Sequence, residues 1–200
     1  MKNKNPYLCI MRITIENARI EQSATIARMT MEAMNHECCQ WFAGKEHSLD
    51  DFFELMKELV ESEKTQYSYR NTLVAKNDRN EIVGMCISYD GGMLRDLRKA
   101  FVDGVRQSFG RDFSEIPDET QAGELYIDSL CVDKDCRGLG IASQLLKAAI
   151  EKGRNLNLPT GLLVDKNNPK AEKLYQRVGF EYVNDNEWGG HAMKHLVFPL

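Results

Sequence analysis

Apolar residues recur along the first half of the chain with two different periods, which predict helices and strands respectively. Apolar positions at helical spacing predict a helix over residues 18–34. A second helix is expected to begin after Ser48, which has Asp51 three residues on and an apolar face beyond it. Short apolar runs predict strands at residues 9–15, 71–75 and 82–89, the last two joined as a hairpin by a polar turn.

The second half of the chain alternates strands and helices more regularly. The strands are predicted at residues 125–132, 160–164, 180–184 and 192–198. Helices are predicted at residues 141–152 and 169–178. Alternation of this kind predicts an α/β fold, with one sheet that carries helices on its faces.

Residues 91–122 interrupt this pattern and are interpreted as an insertion within one domain that spans residues 1–200. The insertion opens with Gly91-Gly92, continues as a predicted helix over residues 93–109 and ends in a polar loop that contains Pro117. An apolar stripe on this helix must pack against other elements. The loop is longer than a simple connection requires, which favours a functional role for it.

Composition excludes some classes of protein. The chain is 42% hydrophobic and 28% charged, which is enough apolar material for a core, and its net charge of -4 gives no reason to expect nucleic acid as a partner. The sequence has no apolar stretch of the ~18 residues that a membrane span needs, so no membrane partner is expected. Six cysteines without a C-x-x-C pair favour a reduced, cytoplasmic protein, and Arg12 interrupts the only early apolar run, so no signal peptide is expected.

A Gly-rich turn between the strand at residues 125–132 and the helix at residues 141–152 carries the most specific chemistry. Unpaired backbone N–H groups at a helix start bind anions, and the helix dipole adds to this effect. Gly138 and Gly140 let the backbone approach a ligand closely, and Arg137 adds positive charge. This arrangement suits a phosphate or a pyrophosphate.

Several interpretations of this turn compete. A P-loop needs Lys-Ser/Thr after its last glycine, but Ile141-Ala142 follows here. A Rossmann fingerprint would have to run from Gly138 to Ser143, and the match is poor. The turn could also serve only to pack a helix on a sheet. The pattern Arg137-x-x-Gly140-x-Ala142 fits best, because it resembles the Q/R-x-x-G-x-G/A loop of the GNAT superfamily of acyltransferases.

A second motif about 25 residues further on resembles another signature of the same superfamily, N-x-x-A-x-x-L-Y-x-x-x-G-F. Its matching residues are Asn168, Ala171, Leu174, Tyr175, Gly179 and Phe180. Two motifs in the right order and at the usual spacing make the resemblance specific over residues 124–180. The resemblance is weaker, although consistent in element order, over residues 10–89.

The resemblance implies a mixed, mostly antiparallel central sheet that is splayed between its fourth and fifth strands, with helices on both faces. It also implies acetyl-CoA as a co-substrate and no metal. The pantetheine arm would pair with the fourth strand near Leu130 and Val132. The pyrophosphate would lie on the backbone of a run that comprises Arg137, Gly138, Leu139, Gly140, Ile141, Ala142 and Ser143. Asn168 would touch the cofactor arm, cap the helix that follows it, or do both.

The resemblance further implies an N-acetyltransferase, in which a primary amine attacks the thioester directly in a ternary complex. Tyr175 stands at the family's general-acid position, although an amphipathic helix would also bury a tyrosine there. For the general base we consider Asp128 and Glu124, which share a strand face by period-two alternation unless a bulge intervenes. Leu163 occupies the place where some members carry an acid on the fifth strand.

Partners and alternatives remain open at this point. The expected acceptor is a small-molecule or peptide amine, the insertion is expected to cover the acceptor side of the cleft, and a homodimer stays open. The histidines do not predict a metal site, because His36 lacks a second histidine at helical spacing and His191 and His195 lie on a predicted strand. The alternatives are a non-catalytic acyl-CoA-binding regulatory module on the same fold, and an unrelated phosphate-binding α/β protein.

Overall fold

A seven-stranded sheet forms the centre of the computed structural model, which describes residues 12–200. Its strands are β1 (Thr14–Asn17), β2 (Thr72–Lys76), β3 (Ile82–Asp90), β4 (Leu125–Val132), β5 (Thr160–Asp165), β6 (Glu181–Trp188) and β7 (His191–Phe198). Their spatial order is β1-β2-β3-β4-β5-β7-β6. Strands β4 and β5 pair in parallel, whereas the other neighbouring pairs are antiparallel. The predicted mixed, mostly antiparallel sheet is therefore confirmed.

Helices cover both faces of this sheet. They are α1 (Ser23–Met34), α2 (His36–Ala43), α3 (Leu49–Glu61), α4 (Leu94–Phe109), α5 (Ile141–Asn155) and α6 (Pro169–Val178). The first four helices pack with Met85 and Tyr126 into one core, and α5 and α6 pack with Cys86 and Ile127 into the other. Within residues 12–200, none of the helices combines the length and the apolar character that crossing a membrane requires.

Local capping explains where several of these helices begin. The Ser48 side chain accepts a hydrogen bond from the Asp51 N–H at 3.1 Å, and the Asp51 carboxylate accepts from the Ser48 N–H at 2.8 Å. This reciprocal capping box starts α3 where the sequence predicts it. Helix α6 also has its predicted bounds, with Pro169 in its first turn.

The start of the chain differs from the prediction in three respects. The predicted helix over residues 18–34 begins only at Ser23, after a 3-10 turn over Ile20–Gln22. Helix α2 was not predicted, because eight residues are too few to show a clear period. Asn35 separates α2 from α1 by taking a positive φ of 67° and capping the Cys38 N–H at 2.9 Å. The first predicted strand, residues 9–15, falls partly outside the described residues, and β1 begins at Thr14.

Strands β4 and β5 separate after a short contact. They pair only from Leu125 to Ile127 on β4, so the sheet opens beyond that point, as the resemblance implied. In the same stretch β4 contains a bulge, because Ile127 and Ser129 face consecutive residues of β3 and leave Asp128 as the extra residue. The bulge changes the alternation, so that Ile127 and Leu130, three residues apart, face the same core.

The segment over residues 91–122 leaves the sheet between β3 and β4 and returns to the same place. Its two ends are tied by a hydrogen bond from the Gly91 N–H to the Glu124 carbonyl at 2.9 Å. Helix α4 lies against α2 and α3, and the following loop packs Phe113 against the rings of Trp41 and Phe42. The last part of the loop turns inward and buries Glu119.

Candidate active site

A cleft of about 1430 Å³ opens where β4 and β5 separate. Its walls come from the second half of β4, the loop that leads into α5, helix α6, and the facing parts of α1, α2 and the β6–β7 hairpin. The cleft therefore joins the two halves of the sheet and both cores. Nine of the ten residues predicted to bind the cofactor line it: Leu130, Val132, Arg137, Gly138, Gly140, Ile141, Ala142, Ser143 and Asn168.

The loop before α5 presents unpaired backbone donors to this cleft. Gly138 and Gly140 have φ values of +82° and +79°, a left-handed conformation that glycine adopts without strain. Within the described chain, the N–H groups from Gly140 to Ser143 donate to no backbone carbonyl, and Gly140 supplies no side-chain cap. A Cβ built on either glycine would meet nothing within 4 Å, so the loop faces open space. This is the geometry of an anion site at a helix start.

Two loop residues add detail to this site. The Arg137 side chain is held at the loop by hydrogen bonds to the Val132 carbonyl at 3.0 Å and to Glu32 on α1 at 3.2 Å. Leu139, the tenth predicted residue, is 52% exposed and does not line the cleft. The backbone N–H groups of this loop and the Arg137 guanidinium, which is paired with Glu32, therefore lie together at this end of the cleft.

Asn168 and Tyr175 bring α6 to the same cleft. The Asn168 side chain caps α6 by accepting from the Ala171 N–H at 3.1 Å, and the residue also lines the cleft. Tyr175 packs edge-on against Phe180, with ring centroids 6.0 Å apart, yet it too lines the cleft. Burial raises the pKa of Tyr175 to about 12, so its hydroxyl is protonated at neutral pH.

Asp128, the extra residue of the bulge in β4, lines the end of the cleft away from the loop before α5, four residues before the strand ends. Its carboxylate accepts hydrogen bonds from the Tyr89 hydroxyl at 2.9 Å, from Gln66 Nε2 at 3.2 Å and from the Ser129 hydroxyl at 2.8 Å. Burial raises the pKa of Asp128 above its ordinary value, against the lowering effect of these hydrogen bonds. Asp128 is thus a half-buried, hydrogen-bonded carboxyl group that lines the cleft.

A second carboxyl group at this end of the cleft, which is buried, was not predicted. Glu119 is 6% exposed, forms an ion pair with Arg98 and accepts from Trp188 Nε1 at 3.1 Å. Burial, and then the charge of Asp128, raise the pKa of Glu119 to about 7. The Tyr89 hydroxyl lies 3.3 Å from Glu119 and also contacts Asp128. A phenol has one hydrogen to donate, so both contacts are hydrogen bonds only when one carboxyl group holds a proton.

The sequence does contain a signal for Glu119, although an indirect one. Arg98 lies on the apolar stripe of α4, between Leu94 and Phe101, and is 8% exposed. A buried guanidinium requires a buried acid, so a charged residue on this stripe indicates a carboxylate elsewhere in the core. The polar loop that follows α4 is the nearest source of such an acid.

Glu124, the other acid predicted as a base, lies outside the cleft lining. Its carboxylate accepts from the Thr120 hydroxyl at 2.6 Å and contacts His195 Nε2 at 2.8 Å, so both of its oxygens are engaged within the protein.

The histidine His191 does line the cleft, and its Nδ1 lies 3.0 Å from Asp165. Among residues 12–200, no group of three or more histidine, cysteine, aspartate or glutamate side chains is arranged to hold a metal ion.

The split sheet, the glycine-rich loop with its unpaired backbone donors and the two motifs point to one class of protein. Residues 31–180 match the family described as "Acetyltransferase (GNAT) family". The match covers most of the chain, and the chain therefore belongs to the GNAT acetyltransferase family.

Individual relatives agree with this assignment. The crystal structure of an N-acetyltransferase from Staphylococcus aureus Mu50 has 25% sequence identity and a TM-score of 0.77, and the match covers 92% of this chain and 99% of that one. A probable spermine N(1)-acetyltransferase from Bacillus subtilis subsp. natto (strain BEST195) is 29% identical over 83 residues, which are 40% of this chain and 55% of the relative. GCN5-related N-acetyltransferase 6, chloroplastic, from Arabidopsis thaliana is 39% identical over 64 residues, which are 32% of this chain and 22% of that protein. The matches span 22% to 55% of the curated relatives' lengths.

Proposed function

We propose that this protein is an N-acetyltransferase that transfers the acetyl group of acetyl-CoA to a primary amine by direct attack in a ternary complex. The observation that carries the proposal is that one cleft is lined both by the loop with unpaired backbone N–H groups and by the carboxyl groups of Glu119 and Asp128. The names of the relatives, which include N-acetyltransferases and a spermine N(1)-acetyltransferase, support an amine as acceptor.

The chain's backbone suits the acetyl-CoA molecule that this reaction needs. The N–H groups from Arg137 to Ser143, together with the Arg137 guanidinium, bind the pyrophosphate. Beyond Ile127 the edge of β4 that faces β5 has no strand partner among residues 12–200, which leaves the backbone near Leu130 and Val132 to pair with the amides of the pantetheine arm. Asn168 lines the path between these two regions.

The side chains at the other end of the cleft supply the proton transfers. An alkyl amine with a pKa near ~10.4 arrives protonated and must lose a proton before it attacks. Asp128 lies in the cleft wall and accepts a proton from the amine nitrogen, whereas Glu124 is the weaker choice because it does not line the cleft. Tyr175 carries a proton at neutral pH and donates it to the departing sulfur.

An acceptor screen tests this function. Acetyl-CoA is incubated with a panel of primary amines, and thiol release is measured beside calorimetric binding of acetyl-CoA. We expect at least one amine to stimulate thiol release, and we expect the rate to fall ~10²–10⁴-fold in Asp128→Asn, since that is what a general base contributes. If acetyl-CoA binds but no amine is acetylated, the catalytic proposal fails and a regulatory acyl-CoA-binding module takes its place.

A further inference from the structure

The acceptor end of the cleft, which we define by Gln66, Tyr67, Glu119, Asp128 and Trp188, contains a buried cluster whose charges do not balance. Glu119 is buried and Asp128 is half-buried. The cation that lowers the pKa of each of them is Arg98.

The positive charge of Arg98 is also shared with a third acid. Its Nη1 donates to the Ile116 carbonyl at 3.0 Å and to Asp118 Oδ1 at 3.2 Å, while its Nη2 pairs with Glu119. Asp118 is also paired with Arg95 at 2.9 Å, so two arginines face three carboxyl groups, and with Glu119 and Asp128 both ionised the cluster is one positive charge short. A buried charge without a partner is unfavourable, so the cluster favours taking up either a proton or a cation.

The titratable groups around the pair do not supply this missing charge. Tyr67, Tyr89 and Tyr126 are neutral, because burial and the two carboxylates raise the pKa of each of them well above its ordinary value. Burial raises the pKa of Cys38 to about 11. Glu124 adds further negative charge near Tyr126. The missing charge therefore has to come from outside the protein, either as a proton or as a bound cation that displaces it.

One more polar atom at this end of the cleft lacks a partner. Gln66 is 4% exposed, and its Nε2 donates to Asp128, but its Oε1 is buried with no hydrogen-bond partner among the described residues. An unpaired buried carbonyl oxygen is unfavourable and accepts an N–H donor readily. Two carboxyl groups and one amide oxygen therefore present acceptors in the same small region, beside the rings of Tyr67 and Trp188.

We propose that these groups form an ammonium subsite, in which the acceptor binds as an aliphatic alkylammonium cation and Glu119 acts with Asp128 as a catalytic proton acceptor. This inference rests on the proposed function, because it assigns the substrate class of the same cleft. A primary ammonium has three N–H donors and one positive charge, which match the three acceptors and the missing charge. The aromatic rings add cation–π attraction.

The proton balance uses both carboxyl groups. The ammonium gives one proton to Glu119, and the neutral nitrogen then attacks the thioester carbon. The new C–N bond leaves a positive nitrogen, which gives a second proton to Asp128 as the C–S bond breaks. Tyr175 protonates the departing sulfur and is reprotonated by one of the two protons, and the other leaves to solvent. A carboxyl group that titrates near neutral pH suits the first of these steps.

The substrate class follows from the same charges. An arylamine is uncharged at neutral pH and does not supply the missing charge. An amine with an adjacent carboxylate would add another negative charge to a region that already has two. The subsite therefore selects primary alkylamines without a neighbouring carboxylate.

Binding to the wild-type protein tests the subsite without any turnover. Benzylamine, which is protonated at neutral pH, is titrated calorimetrically against the protein without acetyl-CoA, and benzyl alcohol serves as its uncharged counterpart. We expect benzylamine to bind at least tenfold more tightly and to release a proton from the carboxyl pair, so that its binding heat depends on the buffer. Equal affinity for the two compounds would overturn the subsite.

Turnover tests the role of Glu119 with matched variants. In Glu119→Gln, we expect kcat/KM for benzylamine to fall ~10²–10⁴-fold and that for aniline to change less than tenfold. Glu115→Gln, an exposed change in the same loop, should match the wild type. A folded Glu119→Gln protein with unchanged kcat/KM for benzylamine would overturn the role of Glu119, and if this variant does not fold, the wild-type binding comparison decides. If benzylamine binds as expected but no amine is acetylated, the proposed function fails while the subsite stands.

Discussion

At the scale of single residues, Tyr175 combines packing with access to the cleft. Its ring lies against Phe180 within the core that α5 and α6 share with the sheet. The residue also lines the cleft, and its raised pKa keeps a proton on the hydroxyl. Its packing and its proposed chemistry depend on different atoms of the side chain, so a single substitution separates them.

Tyr175→Phe removes the hydroxyl and keeps the ring. We expect kcat to fall ~10²–10⁴-fold, with the melting temperature and the affinity for acetyl-CoA nearly unchanged, because the variant loses only the proton donor. The pH–rate profile should keep its shape below pH ~10, since a tyrosine with a pKa of about 12 does not titrate there. Tyr182→Phe, which removes an exposed hydroxyl on β6, is the control. Wild-type kcat in Tyr175→Phe would mean that Tyr175 only packs.

The two acids at the acceptor end show what single residues in a sequence reveal. Asp128 can be proposed from the sequence because it lies on a recognisable strand, although the sequence does not show whether a bulge moves it. Glu119 cannot be proposed in this way, because it follows Pro117 in a polar loop without a motif. Its burial depends on Arg98, which is 21 residues away in the chain. Pairing across such a distance is a tertiary property.

At the scale of elements, the strongest periodic segments were predictable and the irregular ones were not. Strand β4 and helix α6 have their predicted bounds, since apolar alternation and a proline start are local signals. Helix α2 was missed because Asn35 breaks the helical pattern and only eight residues follow. The burial of Glu119 in the loop after α4 was also missed, because it depends on the tertiary ion pair with Arg98.

The loop before α5 gives a prediction with a closely matched control. Gly140→Val places a branched side chain in the open space that faces the cleft. We expect the affinity for acetyl-CoA to fall by more than about 10²-fold, about 3 kcal/mol, which is the worth of one or two hydrogen bonds to a charged group. The measurement is calorimetric titration with acetyl-CoA.

Gly110→Val controls for backbone strain in this experiment. Gly110 ends α4 in the same left-handed conformation, with a φ of +66° compared with +79° for Gly140. A Cβ added to Gly110 would also meet no atom within 4 Å. Both variants should lose similar stability, about 1–2 kcal/mol, because valine is strained in this region. Only Gly140→Val should lose affinity. Equal affinities in the two variants would show that the loop does not hold the pyrophosphate.

At the scale of the whole molecule, the buried carboxyl pair links the stability of the fold to pH. Glu119 has a pKa of about 7 in the folded protein, against an ordinary value of 4.5. Between these values the folded protein binds more protons than the unfolded chain does. The free energy of unfolding therefore decreases as pH rises through this window. Protonation of the pair therefore contributes to the stability of the protein at acidic pH in the absence of a bound amine.

Unfolding by urea at pH 5 and pH 8 tests this linkage. From pH 5 to pH 8, the free energy of unfolding of the wild type should fall by up to about 3 kcal/mol more than that of Glu119→Gln. The reason is that a shift of one pKa unit corresponds to about 1.4 kcal/mol. Glu115→Gln should follow the wild type at both pH values. If the free energies of unfolding of the wild type and of Glu119→Gln change equally between pH 5 and pH 8, Glu119 has an ordinary pKa in the folded state.

The cleft wall also contains both of the protein's tryptophans, Trp41 on α2 and Trp188 at the end of β6. Intrinsic fluorescence excited at the indole absorption band therefore originates only from side chains beside the cleft. Trp188 donates its indole hydrogen to Glu119, and Trp41 is 45% exposed, so the two emitters differ in polarity. Trp41→Phe would leave a single emitter at Trp188, which would let stopped-flow spectroscopy follow the arrival of an amine in an unlabelled protein.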